Sequence, residues 1–153
     1  MDDILSLLQD FDVANFLPEP EKFLNSLIGW VRVVVLAGPL CLLGLGLLYL
    51  LAPPSEANHV FGYRHFWGMS SVEAWRFTQK TAGLVWTGLG LVLTIIMAFL
   101  CNGYRELAAE AMLMSALTCV LVELLLVFLS TLLINTLVIF HFDHKGARRS
   151  EQV

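Results

Sequence analysis

Met112–Phe140 reads MLMSALTCVLVELLLVFLSTLLINTLVIF, and Glu123 is the one charged residue in this run of 29. A helix that crosses a lipid bilayer needs about 20 consecutive apolar residues, so the run is long enough. It is continuous and rich in leucine, whereas the strands of a membrane barrel alternate apolar and polar residues. We therefore expect one membrane-spanning helix here, which tilts or extends beyond the lipid.

Two further runs have the same character. Ile28–Leu51 carries a single charge, Arg32, and Thr81–Cys101 carries none. Hydrophobic residues make up 58% of the chain and charged residues 14%, against roughly 45–50% and about 25% in soluble domains. The sequence therefore predicts an all-α, polytopic membrane protein with three transmembrane helices, and it excludes a soluble or disordered chain. The net charge of −4 argues against direct contact with nucleic acid.

The first 21 residues hold six acidic residues and no basic residue. Ile4, Leu7, Leu8 and Phe11 recur there at helical spacing, which predicts an amphipathic helix on the membrane surface. The start Met1-Asp2-Asp3 lacks the positive charge of a signal peptide, so none is expected. The chain accordingly divides into seven predicted segments: an acidic amphipathic segment (1–27), transmembrane helix 1 (28–51), a cytoplasmic loop (52–80), transmembrane helix 2 (81–101), an external loop (102–111), transmembrane helix 3 (112–140) and a basic cytoplasmic tail (141–153).

Lysine and arginine are distributed unevenly between the two sides of the membrane. In a protein with three spans, the first loop and the tail share one side, and the amino-terminal segment and second loop share the other. The first side carries Arg64, Arg76, Lys80, Lys145, Arg148 and Arg149, and the other side carries Lys22, Arg105 and Arg32. Cytoplasmic segments are enriched in such residues. We therefore expect the loop and tail in the cytoplasm and the amino terminus outside.

The first loop contains NHVFGYRHFWGMSSVEAWRFTQK at residues 58–80. Ser70 and Glu73 fit a capping box, in which the serine side chain accepts a hydrogen bond from a backbone amide of the helix that it starts. We expect that helix to run without a break into the second span. Trp75 and Phe77 then lie at the depth of the membrane interface.

Two ionisable residues are candidates for direct function. Arg64 follows an aromatic-glycine turn at the membrane edge, where it could bind a lipid phosphate, a peptide carboxylate or an acidic partner surface. The alternative is a salt bridge to Glu73 or Glu56. Glu123 lies near mid-bilayer, where a charge is costly and by default marks function. It could pair with Arg32, be protonated, or form a structural hydrogen bond within the bundle or a dimer.

Small residues recur at helical spacing in every span and would let the helices approach closely. They are Ala37, Cys41 and Gly44 in the first, Gly83, Thr87, Gly90, Thr94 and Ala98 in the second, and Ala108, Ala111, Ser115 and Cys119 at the start of the third. The spacing predicts a compact three-helix bundle.

One set of loop residues forms a recognisable pattern: Phe61-Gly62-Tyr63-Arg64, Ser70, Glu73, Trp75, Phe77 and Gly83. The pattern resembles the SdpI family of small bacterial membrane proteins, which combines a Gly-Tyr-Arg turn with a glutamate and a tryptophan before a transmembrane helix. The resemblance extends from Asn58 to roughly Cys101. His65 stands where the family usually has threonine.

The resemblance implies a function that composition does not show. The founding member of the family is an immunity protein that protects a bacterial cell from a secreted, membrane-active toxic peptide. It also draws a cytoplasmic transcriptional repressor to the membrane. The resemblance therefore implies an immunity or sensor protein of the bacterial cell membrane, with a hydrophobic toxic peptide and a repressor as partners. The expected ligand- and partner-binding residues are Tyr63, Arg64, Glu73, Trp75 and Glu123, and a homo-oligomer is expected.

Two other functions remain open. One is a small proton-coupled transporter or efflux subunit, in which Glu123 carries protons and oligomerisation completes the path. The other is a scaffold or lipid-binding subunit of a larger membrane complex. No nucleophile elbow, P-loop or zincin motif occurs, so we expect neither an enzyme nor a cofactor. His141, Asp143 and His144 lack an evident fourth ligand, so no metal site is predicted.

Overall fold

A computed structural model of the chain describes residues 20–57 and 61–149. Three long helices dominate it: α1 (Pro20–Leu51), α2 (Val72–Asn102) and α3 (Ala109–His141). Each is long and apolar enough to cross a membrane. The all-α fold with three such helices is therefore confirmed. The predicted amphipathic helix lies outside the described residues, except that 20–27 form the first turns of α1.

Two short 3₁₀ helices complete the described elements. Trp67–Met69 precedes α2, and Gly103–Glu106 connects α2 to α3. At a rise of about 1.5 Å per residue, helices of this length extend well beyond an apolar bilayer core of about 30 Å. The helix ends and the connections therefore lie at the two membrane boundaries.

The start of α2 differs from the predicted capping box. Ser71, in an extended backbone conformation, is the N-cap, and its Oγ accepts a hydrogen bond from the Ala74 amide at 3.1 Å. The prediction of Ser70 is wrong, because Ser70 has helical backbone angles and its Oγ donates to the Trp67 carbonyl to close the 3₁₀ turn. An N-cap needs a non-helical backbone, which Ser71 alone of the two provides. The unbroken helix from the loop into the second span is confirmed.

Glycines bring α1 and α2 into backbone contact. A Cβ atom on Gly46 would lie 2.3 Å from the Thr87 amide nitrogen, and one on Gly90 would lie 2.5 Å from the Leu43 amide nitrogen. Either distance is shorter than van der Waals contact, so a larger residue cannot fit without separating the helices. Without a hydrophobic effect in lipid, such close packing is what holds membrane helices together.

Only part of the predicted small-residue pattern forms this interface. Gly83 and Gly90 of the α2 stripe do contact α1. The prediction for α1 is wrong, because Cys41 is exposed and Gly44 has no atom near its Cβ position. The face of α1 that meets α2 instead carries Gly46, because only a residue without a side chain permits backbone contact at that crossing.

The third helix packs through larger side chains. Met112, Ile134 and Val138 are almost completely buried. Of its predicted small stripe, Cys119 is buried, whereas Ala108 and Ala111 are exposed, so that prediction is wrong for the first turn. Most leucines of α3 remain exposed, as lipid-facing residues must be in a bundle of three helices.

The first loop and the tail meet at one end of the bundle. Ser71 Oγ donates to the Gly146 carbonyl at 2.9 Å, and the rings of Trp67 and His144 lie 6.1 Å apart. We call residues 61–80 together with 141–149 the loop end. It contains the six lysines and arginines that the sequence assigned to one side of the membrane.

The glycine contact at the α1–α2 crossing can be tested with a matched pair of variants. Gly46→Ala places a methyl group into the Thr87 backbone, so we expect a loss of about 1–3 kcal/mol in unfolding free energy. Gly44→Ala, where a Cβ meets nothing within 4 Å, is expected to leave the stability unchanged or to raise it slightly, because alanine favours a helix more than glycine does. Denaturant unfolding of the protein in mixed micelles measures both. Equal stability of the two variants would contradict the proposed crossing.

Candidate functional site

A tight turn at Gly62 begins the loop end. Gly62 has a φ of +117°, and a Cβ there would lie 2.7 Å from Cζ2 of Trp75. Glycine is required on both counts, because other residues rarely adopt this φ and a side chain would collide with the indole. The backbone of residues 61–64 therefore lies in close contact with the beginning of α2.

Gln79 holds this turn through both the oxygen and the nitrogen of its side-chain amide. The Tyr63 backbone amide donates to Gln79 Oε1 at 2.8 Å, and Gln79 Nε2 donates to the Tyr63 carbonyl at 2.9 Å. Gln79 is completely buried, so the paired hydrogen bonds satisfy a polar group that would otherwise be costly. Sequence reasoning missed this residue, although a glutamine one turn after Trp75 at the start of an apolar span was a usable signal.

The Tyr63 side chain connects the loop to α3. Its hydroxyl donates to Asn135 Oδ1 at 2.7 Å, and its ring packs edge-on against Trp86 with centroids 5.3 Å apart. Burial raises the pKa of Tyr63, so the hydroxyl stays protonated and remains a donor at neutral pH. Trp86 Nε1 donates in turn to Ser130 Oγ at 3.2 Å. The loop, α2 and α3 are thus joined by polar contacts at this depth.

Trp75 has its side chain directed inward. It is completely buried, and its Nε1 donates to the Pro54 carbonyl at 2.8 Å. This bond fixes the start of the first loop, just after the end of α1, against the start of α2. The structure therefore gives Trp75 a positioning contact within the chain.

Glu73 and Arg64 face outward. Glu73 forms an ion pair with Arg148 of the tail, and both side chains are about half exposed. Exposed pairs of this kind contribute about 0–1 kcal/mol. Arg64 is exposed and close enough to Tyr49 for an electrostatic interaction. The outer surface of the loop end is therefore charged, whereas its inner surface is aromatic and hydrogen-bonded.

The tail is a folded turn that covers the end of α3. Asp143 Oδ1 accepts from the backbone amides of Lys145 and Ala147, both at 2.9 Å. Arg149 Nε donates to the carbonyls of Ile139 and Phe142, at 3.0 and 3.2 Å. A cation at this position complements the negative end of the helix dipole. The loop end is consequently a single packed unit.

Glu123 lies far from the loop end, near the middle of α3. The residue is 6% exposed, and a Cβ on Gly38 would lie 2.7 Å from its Oε2. Its Oε1 is buried and has no hydrogen-bond partner among the described residues. The pairing with Arg32 weighed from the sequence does not form, because Arg32 Nε donates to the Cys101 carbonyl at 3.0 Å. The carboxyl group therefore faces an apolar surrounding.

A cavity of about 170 Å³ adjoins this carboxyl group. Apart from Glu123 itself, its lining is apolar or glycine: Val34, Gly38, Pro39, Leu42, Leu93, Val120, Leu124 and Val127. A second recess of about 380 Å³ continues between the first halves of α1 and α3, lined by Trp30, Val31, Val34, Leu113, Ala116, Leu117 and Val120. The two share Val34 and Val120. Because the cavity and the recess adjoin at these two residues, we call them together the α1/α3 groove.

The sequence candidates thus form two sites. Tyr63, Arg64, Glu73 and Trp75 belong to the loop end, and Glu123 belongs to the α1/α3 groove. Asn135, the partner of Tyr63, lies twelve residues beyond Glu123 on the same helix. At about 1.5 Å per residue this separates the two sites by roughly 18 Å, so α3 is the element that they share.

Comparison with known families adds to this geometry. Residues 55–140 match the SdpI/YfhL protein family, which is more than half of the 153 residues. The chain belongs to this family. The SdpI/YfhL match includes the loop turn, all of α2 and nearly all of α3, and therefore all five candidate residues. It confirms the resemblance and extends it through the third helix. No curated protein and no solved structure matches the chain.

The contact between Tyr63 and Asn135 can be measured by a double-mutant cycle. Tyr63→Phe removes the hydroxyl and Asn135→Ala removes its acceptor, and we expect a coupling of about 1 kcal/mol in unfolding free energy. Thermal or denaturant unfolding in micelles gives the four stabilities. Phe66→Leu, at an exposed ring of the same loop, serves as a control without effect. Strict additivity of the two substitutions would show that the bond does not form.

Proposed function

We propose that this SdpI/YfhL family member is an immunity or sensor protein of the bacterial cell membrane, and that it binds a membrane-active peptide in the α1/α3 groove. One observation carries the proposal: the Glu123 carboxyl group is buried at an apolar groove with an oxygen that has no partner in the described part of the chain. Membership of the family supports the immunity role.

The groove offers what an apolar peptide needs in lipid. A polar group in the bilayer core costs several kcal/mol unless it is hydrogen-bonded. A lipid acyl chain carries no donor and cannot satisfy Glu123, whereas the backbone amides or amino terminus of a peptide can. The valines and leucines of the groove contact apolar side chains at the same time. Recognition then depends on one hydrogen bond to the Glu123 oxygen and on the shape of the groove.

The charge distribution supports an orientation. Six lysines and arginines lie at the loop end, and three lie at or near the other boundary. Under the positive-inside rule the loop end faces the cytoplasm and Pro20, the start of α1, faces outside. The groove then opens in the outer half of the membrane, because Trp30 and Leu113 lie in the first halves of their helices. A peptide that arrives from outside reaches it directly.

The third helix provides the connection to the cytoplasm. It carries Glu123 in the groove, and it carries Ser130 and Asn135, which bond to Trp86 and Tyr63. A peptide that binds one position of α3 more tightly than another shifts the helix toward that position. Such a shift changes the contact with Tyr63, and with it the exposed surface formed by Arg64 and Glu73. That surface is where a cytoplasmic repressor would bind.

A second candidate uses the same carboxyl group. An unpaired glutamate in a membrane span also suits a proton-coupled transporter. Three helices cannot enclose a path by themselves, so that function needs an oligomer. A scaffold role would require neither Glu123 nor the groove. No enzymatic activity is known for the family, in keeping with a binding function.

Loss of the Glu123 acceptor should reduce immunity. We expect a host strain with the gene deleted to be killed by conditioned medium of sibling cultures, and wild-type protein to restore survival. Glu123→Ala at matched membrane level should lower the protective titre about tenfold, the effect of losing one buried hydrogen bond. Glu110→Gln, at an exposed carboxylate in the first turn of α3, is the control.

The same assay separates the alternatives. Glu123→Gln keeps an acceptor oxygen, so a peptide receptor keeps most of its protection, whereas a proton carrier loses its function. Undiminished survival of the deletion strain would contradict the immunity proposal. If Glu123→Ala protects as well as the wild type, the proposal that the peptide binds in the α1/α3 groove is wrong.

The orientation has its own test. Ser55→Cys lies in the first loop and Glu106→Cys in the second, and both positions are exposed. In a background with the three native cysteines replaced by alanine, a membrane-impermeant maleimide should label position 106 in intact cells. It should label position 55 only after the membrane is permeabilised. The reverse pattern would place the loop end outside.

A further inference from the structure

A further recess lies between the end of α1 and the start of α2. It is separate from the α1/α3 groove and from the contacts of Tyr63. Its volume is about 380 Å³. Leu50, Pro53 and Pro54 form its apolar wall, and Arg76 and Lys80 form the opposite side. The two cations are four residues apart on α2 and therefore lie on one face of that helix. The recess thus combines two positive charges with an apolar surface.

The two cations have no acidic partner in the part of the chain that the structure describes. Glu73, one turn before Arg76, is paired with Arg148 of the tail instead. Both Arg76 and Lys80 are exposed. Tyr49 and Ser55 also line the recess and carry hydroxyl groups. A bound anion would therefore meet two charges and further donors without displacing an internal salt bridge.

The position of the recess along the membrane normal indicates which anion it binds. Leu51 ends the apolar run of α1, and Lys80 directly precedes the uncharged run Thr81–Cys101 of α2. The recess consequently lies where apolar helix meets the headgroup layer. Basic pockets between transmembrane helices at this depth bind the head groups of anionic lipids. An arginine guanidinium can hold two phosphate oxygens at once, and a lysine adds a compact charge.

We propose that this recess is a binding site for the phosphate group of an anionic phospholipid. Arg76 and Lys80 bind the phosphate, and Leu50, Pro53 and Pro54 contact the glycerol and the first methylene groups. The site involves neither Glu123 nor Tyr63, so it stands or falls independently of the proposed peptide binding. A lipid bound there would tie the end of α1 to the start of α2 across the first loop.

Native mass spectrometry of the full-length protein tests the site. The protein, released from uncharged detergent micelles, is titrated with phosphatidylglycerol and separately with phosphatidylcholine. We expect at least tenfold tighter binding of phosphatidylglycerol. Arg76→Gln combined with Lys80→Gln should lower that affinity about tenfold or more, because each cation strengthens the electrostatic attraction to the anionic lipid. Arg76→Lys with Lys80→Arg should retain binding and confirm that folding is intact.

A charge-matched control distinguishes a site from general attraction. Lys22→Gln with Arg105→Gln removes the same charge from the other membrane boundary and should leave phosphatidylglycerol affinity unchanged. An equal loss in both double variants would overturn the proposal. Titration with inorganic phosphate separates the two sources of the group. If phosphate alone binds as tightly as phosphatidylglycerol, the recess recognises a free anion and the assignment to a lipid is wrong.

Discussion

The exclusion of water from the bilayer core is the constraint on which this structure depends. Every backbone amide and carbonyl in the apolar region must be hydrogen-bonded within the protein, and helices achieve this within one segment. Three helices of more than 30 residues each follow from it. The same constraint makes the glycine contacts between α1 and α2 important, because close backbone packing replaces the hydrophobic effect as the source of helix association.

One ionisable group in the spans departs from that constraint. Glu123 places a carboxyl group against Gly38 in an apolar groove, with one oxygen unsatisfied among the described residues. Two other polar groups of the described spans do have partners within the chain: Arg32 binds the Cys101 carbonyl and Trp86 binds Ser130. The hydroxyl of Thr87 is, like the Glu123 oxygen, buried without a partner in residues 20–57 and 61–149, but it carries no charge. A partner from outside the chain would complete the pattern at Glu123. The proposed function supplies that partner as a peptide.

Hydrogen bonds from several side chains hold the loop end together. Gln79 binds both backbone groups of Tyr63, Trp75 binds the carbonyl of Pro54, and the tail caps α3 through Arg149. Aromatic rings fill the space between these bonds. In the proposed function, a change in the position of α3 would reach the exposed charges of the loop through few intermediate contacts. The lipid recess lies beside this unit and would strengthen the same junction.

Local patterns predicted much of this arrangement. The apolar runs were sufficient to predict three helices, and the loop motif was sufficient to recognise the family. The sequence could not show whether Ser70 or Ser71 is the N-cap of α2. The choice depends on the 3₁₀ helix Trp67–Met69, which keeps Ser70 in a helical conformation and leaves Ser71 extended. The bond between Tyr63 and Asn135 joins residues 72 positions apart, and no local pattern reports such a contact.

What the sequence determined by itself is the number of spans, the shared end of loop and tail, and the presence of a carboxyl group at mid-membrane depth. These depend on length, hydropathy and residue order alone. Only the tertiary structure decided which helix faces meet, so that Gly46 rather than Gly44 lies at the crossing and Arg32 turns away from Glu123. Helical spacing defines the faces of each helix, but the rotation of one helix against another is set by contacts between all three.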